Sequence, residues 1–474
     1  MRMIGRNAER WELKQCERSA KSELVCVYGR RRVGKTFLVE QTFGDSFAFR
    51  ATGVEKGTTK QQLRAFFQRL KEHGDATATI PKDWFEAFAR LDKILSAPAV
   101  RRSPYGKRIV FLDEFPWFAT KRSDFLMAFG EFWNRRGTQD GDYVFVICGS
   151  ATSWIIQNVL DDTGSLFHRV TCQIHLSPFS LSDAEKFFRD RDFDWSREQI
   201  LEAQMVFGGL PFFYDLMDGD ESFRQNLDRL LFRPHALLRG ESNRLLEATL
   251  KKSPVYGKIL EKLSHHVYGM KKSACREELG IPYGTFTRAV DDLVKCGYVA
   301  EFKSRGEDGN PLYIQMVDSF LIFHYHFLNG EHDFSSYDEL VGNMGLYTNW
   351  RGHAFEIVCM HHESQIKKAL GIGGVNTRSY PWMNPGEEES VQIDLVIERD
   401  DRITNILEMK CTERPFVMTR KAEENLLKKR EVFRKRTGTA NALKIVLVSA
   451  SGIQGTAHME HISRVLTLDD LFEA

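Results

Sequence analysis

Gly29-Arg30-Arg31-Arg32-Val33-Gly34-Lys35-Thr36 fits G-x-x-x-x-G-K-[ST] without a mismatch. Just before it, Leu24-Val25-Cys26-Val27-Tyr28 is a short apolar run that reads as a buried strand. Just after it, Phe37-Leu38-Val39-Glu40-Gln41 opens a helix. Strand, glycine loop and helix form the context the pattern needs. Gly29 and Gly34 let the backbone turn tightly, so that successive N–H groups point at phosphate oxygens. The helix N-terminus adds positive partial charge. Lys35 reaches the β- and γ-phosphates in such a loop, and the Thr36 hydroxyl binds Mg²⁺. The candidate ATP-binding residues are therefore Gly29, Arg30, Arg31, Arg32, Val33, Gly34, Lys35, Thr36 and Phe37.

The rest of the 474-residue chain is long enough for about three or four domains. Its composition, 42% hydrophobic and 28% charged, is that of a globular protein with real cores. A formal net charge of +1 excludes a polyelectrolyte, so any nucleic-acid contact must come from local patches. Eight scattered cysteines with no C-x-x-C pair argue for reduced thiols and against a disulfide or zinc framework. Met1-Arg2-Met3-Ile4-Gly5-Arg6 has no apolar core, and no run of about 18 apolar residues follows. A cytoplasmic protein without signal peptide or membrane contact is the expectation.

Ile109-Val110-Phe111-Leu112-Asp113-Glu114 is the second nucleotide signal. Four apolar residues predict a buried parallel strand, with the acids emerging where open α/β sheets bind ligands. Asp113 is the expected Mg²⁺ holder, directly or through water. Glu114 is the expected base for the attacking water. Tyr143–Cys148 reads as a further buried strand that ends on Gly149-Ser150, with Ser150 placed to sense the γ-phosphate or the water. An N-cap role for Ser150 is compatible with that. Leu166-Phe167-His168-Arg169-Val170 leads into another strand. Arg169 is a candidate arginine finger at the nucleotide, with a structural salt bridge as its competing role. The stripe Leu63, Phe66, Phe67 and Leu70 has helical spacing and reads as core.

Tyr28 to Thr36, Leu112-Asp113-Glu114-Phe115-Pro116, Cys148-Gly149-Ser150, Pro178-Phe179 and Gly208-Gly209-Leu210-Pro211 together resemble the archaeal-type ATPase family, within the AAA+/STAND-like P-loop NTPases. The resemblance implies a P-loop ATPase core over 1–180, a helical lid over 181–250 and a winged helix over 251–328. It also implies a separate C-terminal domain. Residues 329–344 read as a linker. The expected winged helix has helices at Tyr256–Val267, Lys271–Gly280 and Thr285–Cys296, then a hairpin whose wing loop is Gly306–Asn310. Thr285, Thr287 and Arg288 face outward at the start of the third helix, and Lys303 and Arg305 sit by the wing, diluted by Asp291, Asp292, Glu307 and Asp308, so that DNA binding and a purely structural or protein-contacting role both stay open. His324 and His326 are two apart, so they do not share a helix face. Neither they nor His361-His362 suggest a metal pair.

In the C-terminal region, Gly352–Val358 opens a helix carrying Glu356. Val391–Ile397 and Arg402–Lys410 read as paired strands. Alternation puts Glu408 and Lys410 on one face, which Asp394 can approach. Two carboxylates on paired strands suit a hard cation such as Mg²⁺. Such an ion generates hydroxide and stabilises a pentavalent phosphorus centre. Lys410 can position water or neutralise developing charge. Glu356, Asp394 and Glu408-x-Lys410 resemble the PD-(D/E)XK, or restriction-endonuclease-like, nucleases, with Ile393 where proline is common. That resemblance implies a nuclease-like α/β domain over 345–474. Thr419–Thr437 is a basic helix with Arg420, Lys421, Lys428, Lys429 and Arg430, available for phosphates or simply solvated.

The fold expected is therefore α/β and multidomain. Its function is that of an ATPase coupled to a Mg²⁺-dependent deoxyribonuclease, with DNA as partner. Self-association is a further expectation, because sites of this type often take an arginine from a neighbour. The alternatives are a regulatory NTPase whose nuclease fold only binds a partner or DNA, and a DNA-binding regulator acting through the winged helix.

Overall fold

Leu24, Val25, Cys26 and Val27 have no exposed surface, as a strand flanked on both edges and covered on both faces requires. In the computed structural model α1 (Asn7–Arg18) precedes this strand, β1 (Glu23–Tyr28), and α2 (Lys35–Phe43) follows it. The chain continues through β2 (Phe47–Thr52), α3 (Thr59–Glu72), α4 (Trp84–Ser96) and β3 (Arg108–Asp113). Next come α5 (Phe125–Asp140), β4 (Tyr143–Gly149) and β5 (Cys172–His175). The structure describes residues 3–161, 166, 168–250, 253–306, 311–329, 334–384, 390–455 and 457–473, without the side chains of 138, 139, 248 and 249. Contacts divide the chain into two units, Met1–Pro178 with Leu245–Lys251, and Phe179–Arg244 with Lys252–Ala474.

The first unit is built on a five-stranded sheet in the order β2-β3-β4-β1-β5, parallel throughout. Its order and direction match the parallel sheet expected of a P-loop NTPase fold. β4 lies between β1 and β3, so the loop after β1 and the acids after β3 open onto the same carboxyl edge, with Ser150 between them. Sequence sets the flanking helices. Thr58 and Gln61 form a capping box at the start of α3, and the Asp83 carboxylate caps α4 at Glu86 N–H. The stripe Leu63, Phe66, Phe67 and Leu70 is buried, as its spacing predicts. Phe66 packs edge-on to Trp84 and Phe118, and Trp84 to Phe125, in one aromatic core over the sheet.

The second unit starts with α6 (Leu181–Arg189) and α7 (Arg197–Phe207), each opened by a capping box, Ser180 with Asp183 and Ser196 with Gln199. Then α8 (Pro254–Ser264), β6 (Met270–Lys271), α9 (Lys272–Leu279), α10 (Tyr283–Lys295), β7 (Val299–Lys303) and β8 (Leu312–Met316) follow. Their strands pair antiparallel in the order β6-β8-β7. The expected wing residues Glu307, Asp308, Gly309 and Asn310 lie outside the described residues. After α11 (Ser319–Phe327) the stretch expected as a linker holds a helix, α12 (Tyr337–Gly342). Tyr337 and Leu340 are fully buried and the Asp228 carboxylate accepts Tyr337 N–H at 2.6 Å, so this stretch is packed structure. The Glu356 helix, α13 (Met344–His361), begins eight residues before Gly352 because the Asn343 side chain caps it at Leu346 N–H.

A second five-stranded sheet ends the chain, in the order β13-β12-β11-β10-β9. It is built from β9 (Thr377–Asn384), β10 (Val391–Arg399), β11 (Ile403–Lys410), β12 (Ala442–Ser449) and β13 (Ile462–Thr467). β9, β10 and β11 are antiparallel, whereas β11, β12 and β13 are parallel. The basic helix α14 (Arg420–Thr437) makes the crossover from β11 to β12.

The β7 hairpin is docked on this sheet. Phe302 packs on its core, Ser304 Oγ donates to Met383 O at 3.2 Å, and Trp382 Nε1 donates to Arg305 O at 2.7 Å. Arg305 pairs with Glu398. Gly306 has φ +86°, and a Cβ there would stand 2.5 Å from Arg436 O. Arg305, which the sequence places by the wing, thus carries an ion pair to the sheet while its side chain stays about half exposed, at 47%. Trp382→Ala empties a buried site and strands Arg305 O. It is expected to cost about 3–5 kcal/mol, read as a fall in the denaturation midpoint of the second unit.

His362 and His324 are held by internal hydrogen bonds. His362 Nδ1 lies 2.7 Å from Val358 O, and its Nε2 accepts Leu181 N–H at 2.9 Å, which fixes a neutral ring. His324 Nε2 sits 3.0 Å from Ser242 Oγ, and burial pushes its pKa down to about 4.

Candidate functional site

Gly29 has φ +144°, and a Cβ there would lie 2.3 Å from Leu176 O, so no other residue fits where the loop leaves β1. Gly34, at φ +90°, starts α2. The buried Lys35 ammonium donates to Gly29 O at 2.9 Å and Arg30 O at 2.7 Å, so the loop's own carbonyls hold it over the loop. Burial draws its pKa down, against the pull of Cys148, Glu114 and Asp113. Thr36 Oγ1 donates to Asp113 Oδ2 at 2.9 Å. Burial, then the charge of Glu114, raises the Asp113 pKa. A hydroxyl and a buried carboxylate at one point are the oxygen donors that Mg²⁺ takes, so the residues fit the ion.

Glu114 adopts a left-handed backbone, φ 48°, a strained conformation for this residue type. Its carboxylate accepts Ser150 Oγ at 3.0 and 3.1 Å and Ser150 N–H at 3.4 Å. The structure thus brings Lys35, Thr36, Asp113, Glu114 and Ser150 together. Arg30 is buried, Arg31 lies 3.9 Å from Glu55, Arg32 has φ 75°, Val33 is buried and Phe37 is half-buried at the helix start. Arg169 is not brought to them. β5 runs parallel to β1 with Cys172 beside Val25 and His175 beside Tyr28, so Arg169, before β5, lies toward the opposite end of the sheet. Its side chain is exposed there, and Phe167 lies outside the described residues.

Two features escaped the sequence. Arg6 Nη2 donates to Ser177 O at 2.7 Å and to Val33 O at 3.4 Å, tying the glycine loop to the strand exit beyond β5. A cavity of about 230 Å³ beside Thr36 and Asp113 is rimmed by Arg50 and Arg69. Arg6→Ala frees the loop and is expected to weaken ATP affinity roughly tenfold, the loss of one charge-assisted hydrogen bond. Titration with a non-hydrolysable ATP analogue checks this, and unchanged affinity contradicts it.

In the second unit, Leu395 pairs with Leu407, which sets Asp394 opposite Glu408, beside a register shift between Ile393 and Val396. Asp394 Oδ2 accepts Met409 N–H at 2.8 Å. Burial, then Glu408 and Glu356, raises the Asp394 pKa well above the usual carboxylate range. Burial and Glu408 push Glu356 up to about 7. Burial opposes ionisation of Glu408 too, but Lys429 and Lys410 outweigh it and hold its pKa down. Lys410 Nζ donates to Glu408 Oε1 at 2.7 Å, and Lys429 Nζ, from α14, donates to Oε2 at 2.5 Å. His353 Nδ1 is buried without a hydrogen-bond partner, 3.5 Å from Glu356 Oε2. The Tyr268 ring meets His353 edge-on, and burial with the three carboxylates pushes its pKa up to about 12. Lys429, His353 and Tyr268 were not foreseen at this centre. Among the described residues no three His, Cys, Asp or Glu side chains are grouped closely enough to hold a metal ion as they stand. The donors fit a hard cation in kind, while both Glu408 oxygens carry ammonium groups.

No family model matches the chain. It is 22% identical over 389 residues to an uncharacterized protein of Methanocaldococcus jannaschii, covering 80% of each chain. Among solved structures it is similar to a Walker-type ATPase of Pyrococcus abyssi, with 18% identity, TM-score 0.48, and 69% of this chain and 96% of that one covered. It is also similar to the ORC2 protein of Aeropyrum pernix, with 15% identity, TM-score 0.41, and coverage of 69% and 94%.

Proposed function

We propose that the chain binds and hydrolyses ATP at the first unit, and that its nucleotide state governs a Mg²⁺-dependent DNA nuclease centre in the second. The Thr36–Asp113 pair beside Lys35 supports the ATP reading. Lys35 leaves the loop carbonyls for the β- and γ-phosphates, and Glu114 leaves Ser150 to take a proton from the attacking water. The division into ATPase core (1–180), lid (181–250), winged helix (251–328) and nuclease-like domain (345–474) belongs to this reading, with the packed helix α12 inside the stretch 329–344 that was expected as a linker. So does a neighbouring protomer as the recipient of Arg169. No helix among the described residues is long and apolar enough to cross a membrane.

The observation that carries the nuclease reading is the meeting of Asp394, Glu408 and Lys410 on β10 and β11 with Glu356 on α13. Asp394, Glu408 and Glu356 are the residues that would hold Mg²⁺. When bound, the ion polarises a phosphate and lowers the pKa of a water. Lys410 orients that water or balances charge on the phosphate oxygens. A second reading, a regulatory NTPase whose C-terminal domain only binds a partner or DNA, is favoured by the saturation of Glu408 with two lysines.

Incubation of the full chain with linear, circular and single-stranded DNA separates the two. Cleavage with Mg²⁺ or Mn²⁺ that a chelator abolishes is the expected result. No cleavage of any substrate, with ATP turnover intact, gives the regulatory reading.

A further inference from the structure

The two lysines on Glu408 differ in origin and burial. Lys410 lies two residues along the same strand and is 34% exposed. Lys429 comes from the crossover helix and is 11% exposed, against a Glu408 side chain 7% exposed. A buried ammonium on a buried carboxylate is a paired charge whose partners are costly to separate. A divalent ion takes carboxylate oxygens at about 2.0–2.1 Å. With an ammonium 2.5 Å from Oε2, ion and lysine would crowd against each other around one oxygen. Coulomb repulsion at such separations, with little water between, sets them in competition. Asp394, also buried, stands opposite Glu408 across β10 and β11, and the buried His353 Nδ1, without a hydrogen-bond partner, lies 3.5 Å from Glu356 Oε2. The cluster therefore has demand for a cation, and Lys429 supplies part of it.

We propose that Lys429 is the resident cation of this centre: it holds the Glu408 oxygen that a divalent ion would take, and yields it when the ion binds. Displaced, its ammonium remains beside the ion, where a phosphate diester would sit, and serves there as a positioning residue for the substrate. The inference rests on the metal-dependent reading of this centre.

Calorimetric titration of the full chain with Mn²⁺, without nucleotide so that the first unit's ion site lacks its phosphates, tests this. The variants are Lys429→Met, Lys429→Gln, Lys429→Arg and Asp394→Asn, each checked by thermal melting. Lys429→Met and Lys429→Gln are expected to bind Mn²⁺ about tenfold tighter than wild type, because the competing ammonium is gone. Lys429→Arg is expected to stay near wild type, and Asp394→Asn to bind none. The neutral variants should also bind a short DNA duplex more weakly in Mn²⁺. If either neutral variant folds and binds Mn²⁺ no tighter than wild type, while Asp394→Asn still abolishes binding, the inference is overturned and the metal reading stands. If no form binds Mn²⁺, the metal reading itself falls and takes the inference with it.

Discussion

Lys35→Ala abolishes ATP turnover, with an expected loss of about 10³-fold or more in phosphate release. The ammonium is held over the loop's own carbonyls, at 2.7 and 2.9 Å, and it is poised to exchange them for phosphate oxygens. Alanine leaves those carbonyls facing phosphates with no cation between, so like charges meet where attraction is needed. Lys35→Arg is expected to rescue little. The planar guanidinium is too large for a side chain with 6% of its surface exposed. The fold should survive, since β1 is fixed by its neighbours β4 and β5 and not by Lys35. Turnover that persists in Lys35→Ala would remove the phosphate loop from the account.

The second large effect is at Asp394. Asp394→Asn is expected to lower DNA cleavage by roughly 10³-fold, the scale of several kcal/mol of lost charge stabilisation. The substitution is nearly isosteric, and an amide oxygen can still accept Met409 N–H. What it removes is a carboxylate whose burial and crowding by Glu408 and Glu356 already oppose its ionisation. Protein stability should therefore hold or rise while metal-dependent cleavage falls. Loss of both would reduce Asp394 to a structural residue. Retention of cleavage would contradict its place at the centre.

The meeting of Lys35, Thr36, Asp113, Glu114 and Ser150 was legible because the pattern that places them is local in sequence. Eight consecutive residues specify the loop, and Asp113-Glu114 sit at the end of an apolar run whose register in the sheet follows from its burial. Asp394, Glu408 and Lys410 were legible for the same reason: strand alternation and one hairpin place them. What stayed hidden depends on partners remote in the chain. Arg6 reaches Ser177, 171 residues away, and nothing in Ile4-Gly5-Arg6 announces that bond. Lys429 read as one cation in a basic helix, because only the crossover of α14 turns it toward Glu408. β9 carries Pro381, which argues against a central strand, and it is in fact an edge strand, where a missing N–H is tolerated. α13 starts ahead of the Gly352 expected to open it because Asn343 caps it there, although Gly345 and Gly352 lower the helix propensity of this stretch. The docked hairpin shows the limit of pattern reading most directly. Arg305 reads as a cation by the wing, and its pairing with Glu398, 93 residues later, has no signal in the sequence.

The central claim is that nucleotide at the first unit governs cleavage by the second. The measurement that tests it most directly is the rate of DNA cleavage in Mg²⁺, with and without ATP, for wild type and Lys35→Ala side by side. The account predicts a wild-type rate that changes severalfold with ATP and a Lys35→Ala rate that does not respond. Equal cleavage by both proteins, with or without ATP, would contradict it.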